Sequence, residues 1–314
     1  MDMREWIGPQ SQGDSTIERR HRFHQSWYRG VVLGLPAGTG PRESDTSRYG
    51  NMLTAEAANA GSNFLTGEIH QVAEARIAAG GTVEPFRCRR NMLSSQPMCF
   101  NLFGPLTSRP ELAALFVRNV TGRDVEIDDD GVRIEDSPGH LADRTGLDAS
   151  IRYRTADGRR GVLGVEAKLS ERFSPTVYEL DSKPAYRRYS EASGSPFDVD
   201  QLEALTVSRF NQLWRNQLLC EAIRSHEDRD LADQVVVFPA DAGRTGSLVD
   251  EYASLLAVPD AVRARTLSEV VEGLTTVAAD DDQSWLRSFR TRYIDLELSS
   301  SLLDAWTAAR PPFQ

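Results

Sequence analysis

Two alternating runs near the middle of the chain restrict its fold more than any other feature. Residues 147–154 and 162–169 place apolar side chains at their odd positions, while their even positions include Asp148, Glu166 and Lys168. An alternation with a period of two is typical of β-strands that bury one face. The tripeptide 156–158 (Ala-Asp-Gly) separates the two runs, so we predict an antiparallel hairpin.

The turn sequence predicts which residues of the two strands face each other. A three-residue loop that ends in a left-handed residue favours glycine at its last position, which here is Gly158. This loop pairs Thr155 with Arg159 and, further along the same register, Asp148 with Glu166. A two-residue loop would shift the register by one and turn the two apolar stripes to opposite faces, so we reject it.

Two carboxylates and one ammonium group are therefore predicted to project together from neighbouring strands. Opposed residues have Cβ atoms about 4.5–5.5 Å apart, and two carboxylates that close repel unless a cation or a proton intervenes. Mg²⁺ fits, because it binds one or two protein carboxylates together with water and phosphate oxygens. Lys168 and Lys183 are the only lysines among 36 basic residues. Lys168 could orient a water, accept its proton or neutralise a transition state.

The residues of this hairpin resemble a known signature. Asp148 followed by the tripeptide 166–168 (Glu-Ala-Lys) is similar to the motif of the PD-(D/E)XK nuclease superfamily, whose fold is called restriction-endonuclease-like. The stretches 94–103 and 212–215 resemble a bacterial branch assigned to restriction endonucleases, and the similarity covers roughly residues 20–240. Leu147 stands where the signature has proline, a position that varies within the superfamily.

The resemblance implies a fold and a chemistry. The fold is α/β, a three-layer α/β/α core with a mixed central sheet, and the reaction is Mg²⁺-dependent hydrolysis of phosphodiester bonds, in which Mn²⁺ can substitute. The implied metal ligands are Asp148, Glu166 and the carbonyl oxygen of Ala167. Lys168 and Gln212 complete the implied catalytic centre.

Further residues are weaker candidates. An acidic residue of an N-terminal helix often assists in this superfamily, and we take Glu68 as the first candidate and Glu56 as the second. Glu68 is equally explained as a first-turn acid that complements a helix dipole. The arginines of the hairpin are candidate phosphate contacts, although a solvated strand edge explains each of them equally well: Arg152, Arg154, Arg159 and Arg160.

Composition excludes several other classes of protein. No stretch approaches the ~20 apolar residues of a membrane span, and residues 1–22 lack the apolar core of a signal peptide. Cys88, Cys99 and Cys220 are isolated, which excludes a disulfide scaffold and favours a cytoplasmic location. The formal net charge of −10 means that any contact with nucleic acid must be local, through a basic cleft or a metal ion.

Together these features predict a DNA endonuclease that acts in defence or in DNA processing. Two alternatives stay open: a non-catalytic nucleic-acid-binding or assembly module of the same fold, and an RNase or toxin. The expected partner is nucleic acid, without a membrane. The predicted helical C-terminus is compatible with a homodimer or a larger defence complex.

We divide the chain into a loop-rich N-terminal arm (1–61), an α/β nuclease core (62–245) and a helical C-terminal annex (246–314). Thr266 and Glu269 fit a capping box. Periodicity predicts strands over 132–134 and 234–238 beside the hairpin, helices over 66–79, 111–120 and 200–224, and one long helix or two over 284–309. This order of elements favours a sheet covered by helices.

Overall fold

The computed structural model describes residues 3–308 of the 314-residue chain, and a five-stranded mixed sheet forms its centre. Near the N-terminus, β1 (Ala37–Thr39) and β2 (Arg48–Leu53) form a separate antiparallel pair. The central strands follow chain order across the sheet: β3 (Val125–Asp136), β4 (Leu147–Thr155), β5 (Arg160–Ala167), β6 (Leu231–Phe238) and β7 (Val262–Thr266). The first two central pairings are antiparallel and the last two are parallel.

Helices cover both faces of the central sheet. In chain order they are α1 (Met3–Ile7), α2 (Thr16–Trp27), α3 (Ala55–Asn59), α4 (Gly67–Ala78), α5 (Pro85–Arg90), α6 (Ser95–Phe103), α7 (Pro110–Thr121), α8 (Pro184–Ser190), α9 (Leu202–Leu205), α10 (Asn211–His226), α11 (Gly243–Ala253), α12 (Leu267–Thr275), α13 (Asp280–Tyr293) and α14 (Ser300–Ala308). Shorter turns are π-helical at Tyr28–Val32 and 3-10 helical at Gly104–Thr107, Leu180–Ser182, Val199–Gln201, Pro259–Ala261 and Leu296–Ser299.

The core has two apolar layers, one on each face of the sheet. Apolar residues of α4, α6, α7, α12 and α13 pack on one face with odd-numbered residues of the hairpin. Residues of α8, α9, α10 and α11 pack on the other face. The predicted three-layer α/β/α fold with a mixed central sheet is therefore confirmed, and it is consistent with a restriction-endonuclease-like architecture.

The hairpin of β4 and β5 has the predicted register. Ala149 pairs with Val165, and the Thr155 N–H donates to the Arg159 carbonyl oxygen across the turn. Gly158 has a φ of 87°, the left-handed conformation that this turn requires. The turn and the hydrophobic alternation together predicted which residues meet across these strands.

One apolar position of the hairpin lies on the unexpected face. Leu147 packs among the residues around α10 and close to Gly164, away from the layer that holds Ala149. The regular ladder between β4 and β5 ends at the pair of Ala149 and Val165, so the strict alternation ends there too. The prediction of one continuous apolar stripe is therefore wrong at its first residue.

Strand β3 is longer than the predicted segment 132–134. The acidic run 128–131 also lies within the strand, where the register with β4 shifts between Ile127 and Val132. Asp130 in this run has a φ of 50°. The strand also continues to Asp136, two residues beyond its predicted end.

Other local predictions had mixed outcomes. Thr66 caps α4, which confirms the helix predicted over 66–79, and the capping box of Thr266 and Glu269 is present. The helix predicted over 200–224 is divided, because α9 ends at Leu205 and α10 begins at Asn211. This division places Gln212 in the first turn of α10.

The two terminal segments differ in content from the prediction. The segment 246–314 is not purely helical, because β7 joins the central sheet beside β6. The segment 1–61 is not mainly loop, because it contains α2 and the pair of β1 and β2. Residues 309–314, with the end of the predicted helix 284–309, lie outside the described residues. Within residues 3–308, no helix is both long enough and apolar enough to span a membrane.

Candidate active site

The candidate site lies where the open end of the hairpin meets the start of α10. Asp148 is the second residue of β4, and Glu166 is the penultimate residue of β5. Lys168 directly follows β5, and its backbone N–H donates to the Val237 carbonyl oxygen of β6. The site is thus fixed to the central sheet on both sides of β5.

Glu166 is the most extensively bonded carboxylate of the site. Its Oε1 lies 2.7 Å from Lys168 Nζ and accepts a hydrogen bond of 2.7 Å from Gln212 Nε2. Its Oε2 accepts a hydrogen bond of 2.6 Å from Asn216 Nδ2. Glu166 is 4% exposed, so a rigid and nearly dry set of donors holds this carboxylate.

Lys168 is held in place by three neighbours. Besides its ion pair with Glu166, its Nζ donates to Gln212 Oε1 at 3.2 Å and lies 4.9 Å from the centre of the Phe173 ring. Burial by itself lowers the pKa of Lys168, but the neighbouring Glu166 carboxylate outweighs burial, and the net pKa is raised. The side chain therefore carries a positive charge in this arrangement.

Asp148 lies in the gap that opens between the two strands. Its Oδ2 accepts a hydrogen bond of 2.6 Å from the backbone N–H of Ala167, where a regular ladder would supply a carbonyl oxygen. Burial raises the pKa of Asp148 well above its usual range, and the nearby carboxylates of Glu166 and Glu135 raise it further. The Ala167 amide and Lys168 oppose this rise only in part. Burial is therefore the main cause of the raised pKa of Asp148, and the two neighbouring carboxylates add to it.

Glu135 is a third acid of the site, and the sequence did not predict it. The β3 positions on either side of it, Ile134 and Asp136, pair with Ala149 and Leu147, so Glu135 lies beside Asp148 in the register. Glu135 has a φ of 54° and is 5% exposed. Among the described residues, its Oε2 accepts a hydrogen bond from Thr82 Oγ1 at 2.9 Å, while its Oε1 is buried without a hydrogen-bond partner. Burial raises the pKa of this carboxyl group as well.

Two signals could have identified the missed residues. Asn216 follows Gln212 by four residues, so both amides lie on the same face of α10. Glu135 directly follows the predicted strand 132–134, and pairing an extended strand with the hairpin would have placed it beside Asp148. The left-handed backbone of Glu135 has no signal of its own in the sequence.

The donor set fits a hard divalent cation such as Mg²⁺. Asp148, Glu166 and Glu135 supply carboxylate oxygens, which Mg²⁺ prefers, and the buried Oε1 of Glu135 has no partner among the described residues. In the part of the chain that the structure describes, no three His, Cys, Asp or Glu side chains converge closely enough to form a preformed metal cage. Mg²⁺ does not require such a cage, because it retains water and uses substrate oxygens.

The candidate helix acids do not join this cluster. Glu68, in the first turn of α4, accepts hydrogen bonds from Ser108 Oγ at 2.6 Å and from Arg109, whose Nη1 lies 2.8 Å from Glu68 Oε1. Its side chain is 40% exposed. Glu56 is also exposed, on α3. The prediction that Glu68 assists catalysis is therefore corrected, since its carboxylate is committed to Arg109 and Glu135 is the third acid near Asp148.

Arg152 does not face solvent as a phosphate contact would. It is 1% exposed, and its guanidinium group lies 2.7 Å from Asp136 Oδ2 and 2.9 Å from Glu227 Oε1. A guanidinium that is buried between two carboxylates is unavailable to a substrate. The prediction that Arg152 binds nucleic acid is wrong for this reason.

The other three hairpin arginines lie at the turn, far from the carboxylates. Six residues separate Arg154 from Asp148 along β4, which corresponds to roughly 20 Å. Arg159 pairs with Asp157 at 2.9 Å, and the backbone N–H of Arg160 donates to Asp230. The structure therefore does not bring Arg154, Arg159 or Arg160 to the candidate site.

Comparison with known proteins identifies the family of the chain. A family model described as the PD-(D/E)XK nuclease superfamily matches residues 12–295. The chain belongs to the PD-(D/E)XK nuclease superfamily. Searches of curated proteins and of solved structures found no match. Membership of a nuclease superfamily implies phosphodiester chemistry on a nucleic acid, and the cluster around Glu166 and Lys168 is the region of the chain where we look for it.

Proposed function

We propose that this protein is a Mg²⁺-dependent DNA endonuclease, and that it acts in defence against foreign DNA or in DNA processing. The observation that carries the proposal is the cluster of the partly exposed Asp148 with the buried Glu166 and Lys168 in a chain of this superfamily. The choice of DNA rests on the resemblance of residues 94–103 and 212–215 to restriction endonucleases.

In this proposal Asp148 and Glu166 bind the metal ion together with the carbonyl oxygen of Ala167. Glu135 lies near enough to raise the pKa of Asp148, and its unpartnered oxygen makes it a further candidate ligand. When bound, the ion would polarise a phosphoryl oxygen and lower the pKa of an attacking water. The same ion would neutralise the excess negative charge of the three neighbouring carboxylates.

The remaining residues position charge for the reaction. The Lys168 ammonium lies beside Glu166 and would stabilise the negative charge that develops on the phosphoryl group. Gln212 bonds both Glu166 and Lys168, so it fixes the distance between the acid and the amine. Asn216 holds the second oxygen of Glu166 and prevents the carboxylate from rotating. Both α10 amides are thus positioning residues in this scheme.

The test uses the two lysines of the chain as a matched pair. We expect Lys168→Ala to slow cleavage of circular DNA in Mg²⁺ by at least about 100-fold, because it removes the cation beside the reacting phosphate. Lys183→Ala is the control, since Lys183 is partly exposed and its Nζ donates to the Ala142 carbonyl oxygen, away from the candidate site. The measurement is the rate of nicking and linearisation, with chelator as the metal-free arm.

Asp148→Asn provides a second variant in case Lys168→Ala does not fold. Circular single-stranded DNA, circular duplex DNA and RNA are assayed in parallel, so that selective cleavage of RNA would replace DNA as the substrate. Binding without cleavage in every metal would identify a non-catalytic module of the same fold. Cleavage by Lys168→Ala at the wild-type rate would place the chemistry elsewhere.

A further inference from the structure

A cleft of about 840 Å³ opens beside Lys168, on the side away from the hairpin turn. The segment 168–175 forms one wall directly after β5, and the first residues of α11 form another. The start of α2 and the residues just before α10 complete its lining. Lys168 belongs both to the candidate site and to this cleft.

The cleft is lined by basic side chains, although the chain as a whole is acidic. Besides Lys168, its lining includes Arg172, Arg209 and Arg244, and its only acidic residue is Glu171. The two oxygens of Glu171 accept hydrogen bonds from three backbone N–H groups, those of Ser95, Leu169 and Ser170, and its single negative charge is outnumbered by the four basic side chains. The cleft is therefore locally positive.

Two of the arginines have no partner to satisfy their charge. Arg172 and Arg244 are exposed, and neither forms a hydrogen bond or an ion pair with any other residue between 3 and 308. Arg209 differs, since it pairs with Glu251 at 2.7 Å. Arg172 and Arg244 thus remain available for an anionic ligand.

The hairpin turn provides an internal comparison. The depression there is also lined by two arginines, Arg154 and Arg160, but they share it with three acids, Glu126, Asp128 and Asp129. Asp128 is paired with Arg229 at 2.9 Å, so Glu126 and Asp129 balance the two arginines and the depression has no excess positive charge. An extended polyanion would thus be attracted to the cleft beside Lys168 more strongly than to the turn.

The cleft wall is connected directly to the candidate site. Gln212 Oε1 accepts hydrogen bonds from Lys168 Nζ at 3.2 Å and from the backbone N–H of Ser174 at 2.8 Å. One amide group therefore links the segment 168–175 to the acid and amine of the site. A nucleic-acid strand that lies in the cleft would pass directly beside Lys168.

We infer that this cleft holds the phosphodiester backbone of the substrate next to the scissile phosphate, with Arg172 and Arg244 as phosphate contacts. The inference rests on the proposed function for the identity of the substrate, and binding can test it without catalysis. Backbone contacts of this kind position a nucleic acid without reading its sequence. They replace the hairpin arginines as the predicted nucleic-acid interface.

The experiment measures binding of a short fluorescein-labelled oligonucleotide by fluorescence anisotropy, in chelator and over a range of salt concentrations. The ligands are single-stranded DNA, the same strand in duplex form, and RNA. The cleft double variant carries Arg172→Ala and Arg244→Ala. It is compared with a turn double variant that carries Arg154→Ala and Arg160→Ala and therefore loses the same number of positive charges at the hairpin turn. Melting temperatures verify that both double variants fold.

We expect the cleft double variant to bind at least about tenfold more weakly, with the same loss for unrelated sequences. Each phosphate contact contributes about 0.9 to the slope of log K against log salt for duplex DNA and about 0.7 for a single strand, so loss of two contacts should reduce the slope by about 1.8 or 1.4. The turn double variant should retain the wild-type slope.

The outcomes separate this inference from the proposed function. If the wild type fails to cleave any circle but the cleft variant alone loses binding, the binding inference stands and the nuclease proposal fails. Equal losses of binding in both double variants would overturn the inference, because the total charge of the protein, and not the cleft, would then determine binding. Wild-type binding by the cleft variant, or no salt-dependent binding by the wild type, would overturn it as well.

Discussion

The two ends of the hairpin β4–β5 use charge in opposite ways. Toward the turn, Arg152 lies between Asp136 and Glu227, and Arg229 lies between Glu227 and Asp128. Each of these two buried cations has two anionic partners, and Glu227 is the partner that they share. This end is electrostatically complete without any ligand.

The open end of the same hairpin is incomplete. The buried Glu166 and Glu135 and the partly exposed Asp148 contribute three neighbouring carboxyl groups, and Lys168 is the cation that the described residues place among them. Natural proteins tolerate such imbalance where a ligand supplies the missing charge, at the expense of stability in its absence. The comparison therefore supports the proposal that the turn end is structural and that the open end is functional.

The largest effect on stability should come from disrupting the ion-pair network at the turn end. Arg152→Ala leaves Asp136 and Glu227 partly buried without their shared cation, and loss of one member of a buried pair costs about 3–5 kcal/mol of unfolding free energy. Arg154→Ala, two residues along β4 and exposed, should change stability by no more than about 0.5 kcal/mol. Urea denaturation measures both. Similar values for the two variants would mean that the turn-end network does not stabilise the fold.

A substitution at the incomplete end should have the opposite sign. Asp148→Asn removes one of the crowded carboxyl groups, so in chelator we expect it to raise the unfolding free energy. Asp250→Asn, on an exposed position of α11, is the control and should change little.

Added Mg²⁺ sharpens this second comparison. A ligand that binds only the folded state raises the melting temperature, so Mg²⁺ should stabilise the wild type much more than Asp148→Asn. A wild type that melts at the same temperature with Mg²⁺ and with chelator would contradict the view that the open end needs a cation in addition to Lys168. Destabilisation by Asp148→Asn in chelator would contradict it too.

The sequence predicted the parts of the site that depend on local patterning. The alternation of β4 and β5, with the loop that ends at Gly158, gave the register that brings Asp148 and Glu166 together. The resemblance added Gln212, which contacts both Glu166 and Lys168. Short-range signals and a family motif were sufficient for these residues.

The remaining features depend on long-range packing that no local pattern records. Arg152 looks like a polar strand position, and only the fold brings Glu227, 75 residues later, against it. Glu135 requires a left-handed backbone at a residue that is not glycine, which the sequence does not signal. Residues 172 and 244 are also distant in sequence, so the basic cleft becomes visible only when β5 and α11 are placed side by side.

The smallest expected effect is the pH dependence of the turn end. Burial raises the pKa of Glu227, but hydrogen bonds from Arg152 and Arg229 outweigh it and lower the pKa from 4.5 to about 2. The lowered pKa means that this carboxylate stabilises the fold above about pH 4.5, and that the stabilisation is lost as the pH falls toward 2. The Glu227 side chain is 23% exposed, and in a Glu227→Gln variant Arg152 would still pair with Asp136 and Arg229 with Asp128. We therefore expect Glu227→Gln to lower the unfolding free energy by about 1 kcal/mol at neutral pH.

Urea midpoints of the wild type and Glu227→Gln should therefore converge as the solution is acidified from about pH 7 to about pH 3. Glu251→Gln, which removes the exposed partner of Arg209, should give a difference from wild type that is small at every pH. A constant gap between wild type and Glu227→Gln across this range would mean that the amide changes packing and not charge. Packing, and not charge, would then stabilise the turn end, and the contrast with the open end would no longer be electrostatic.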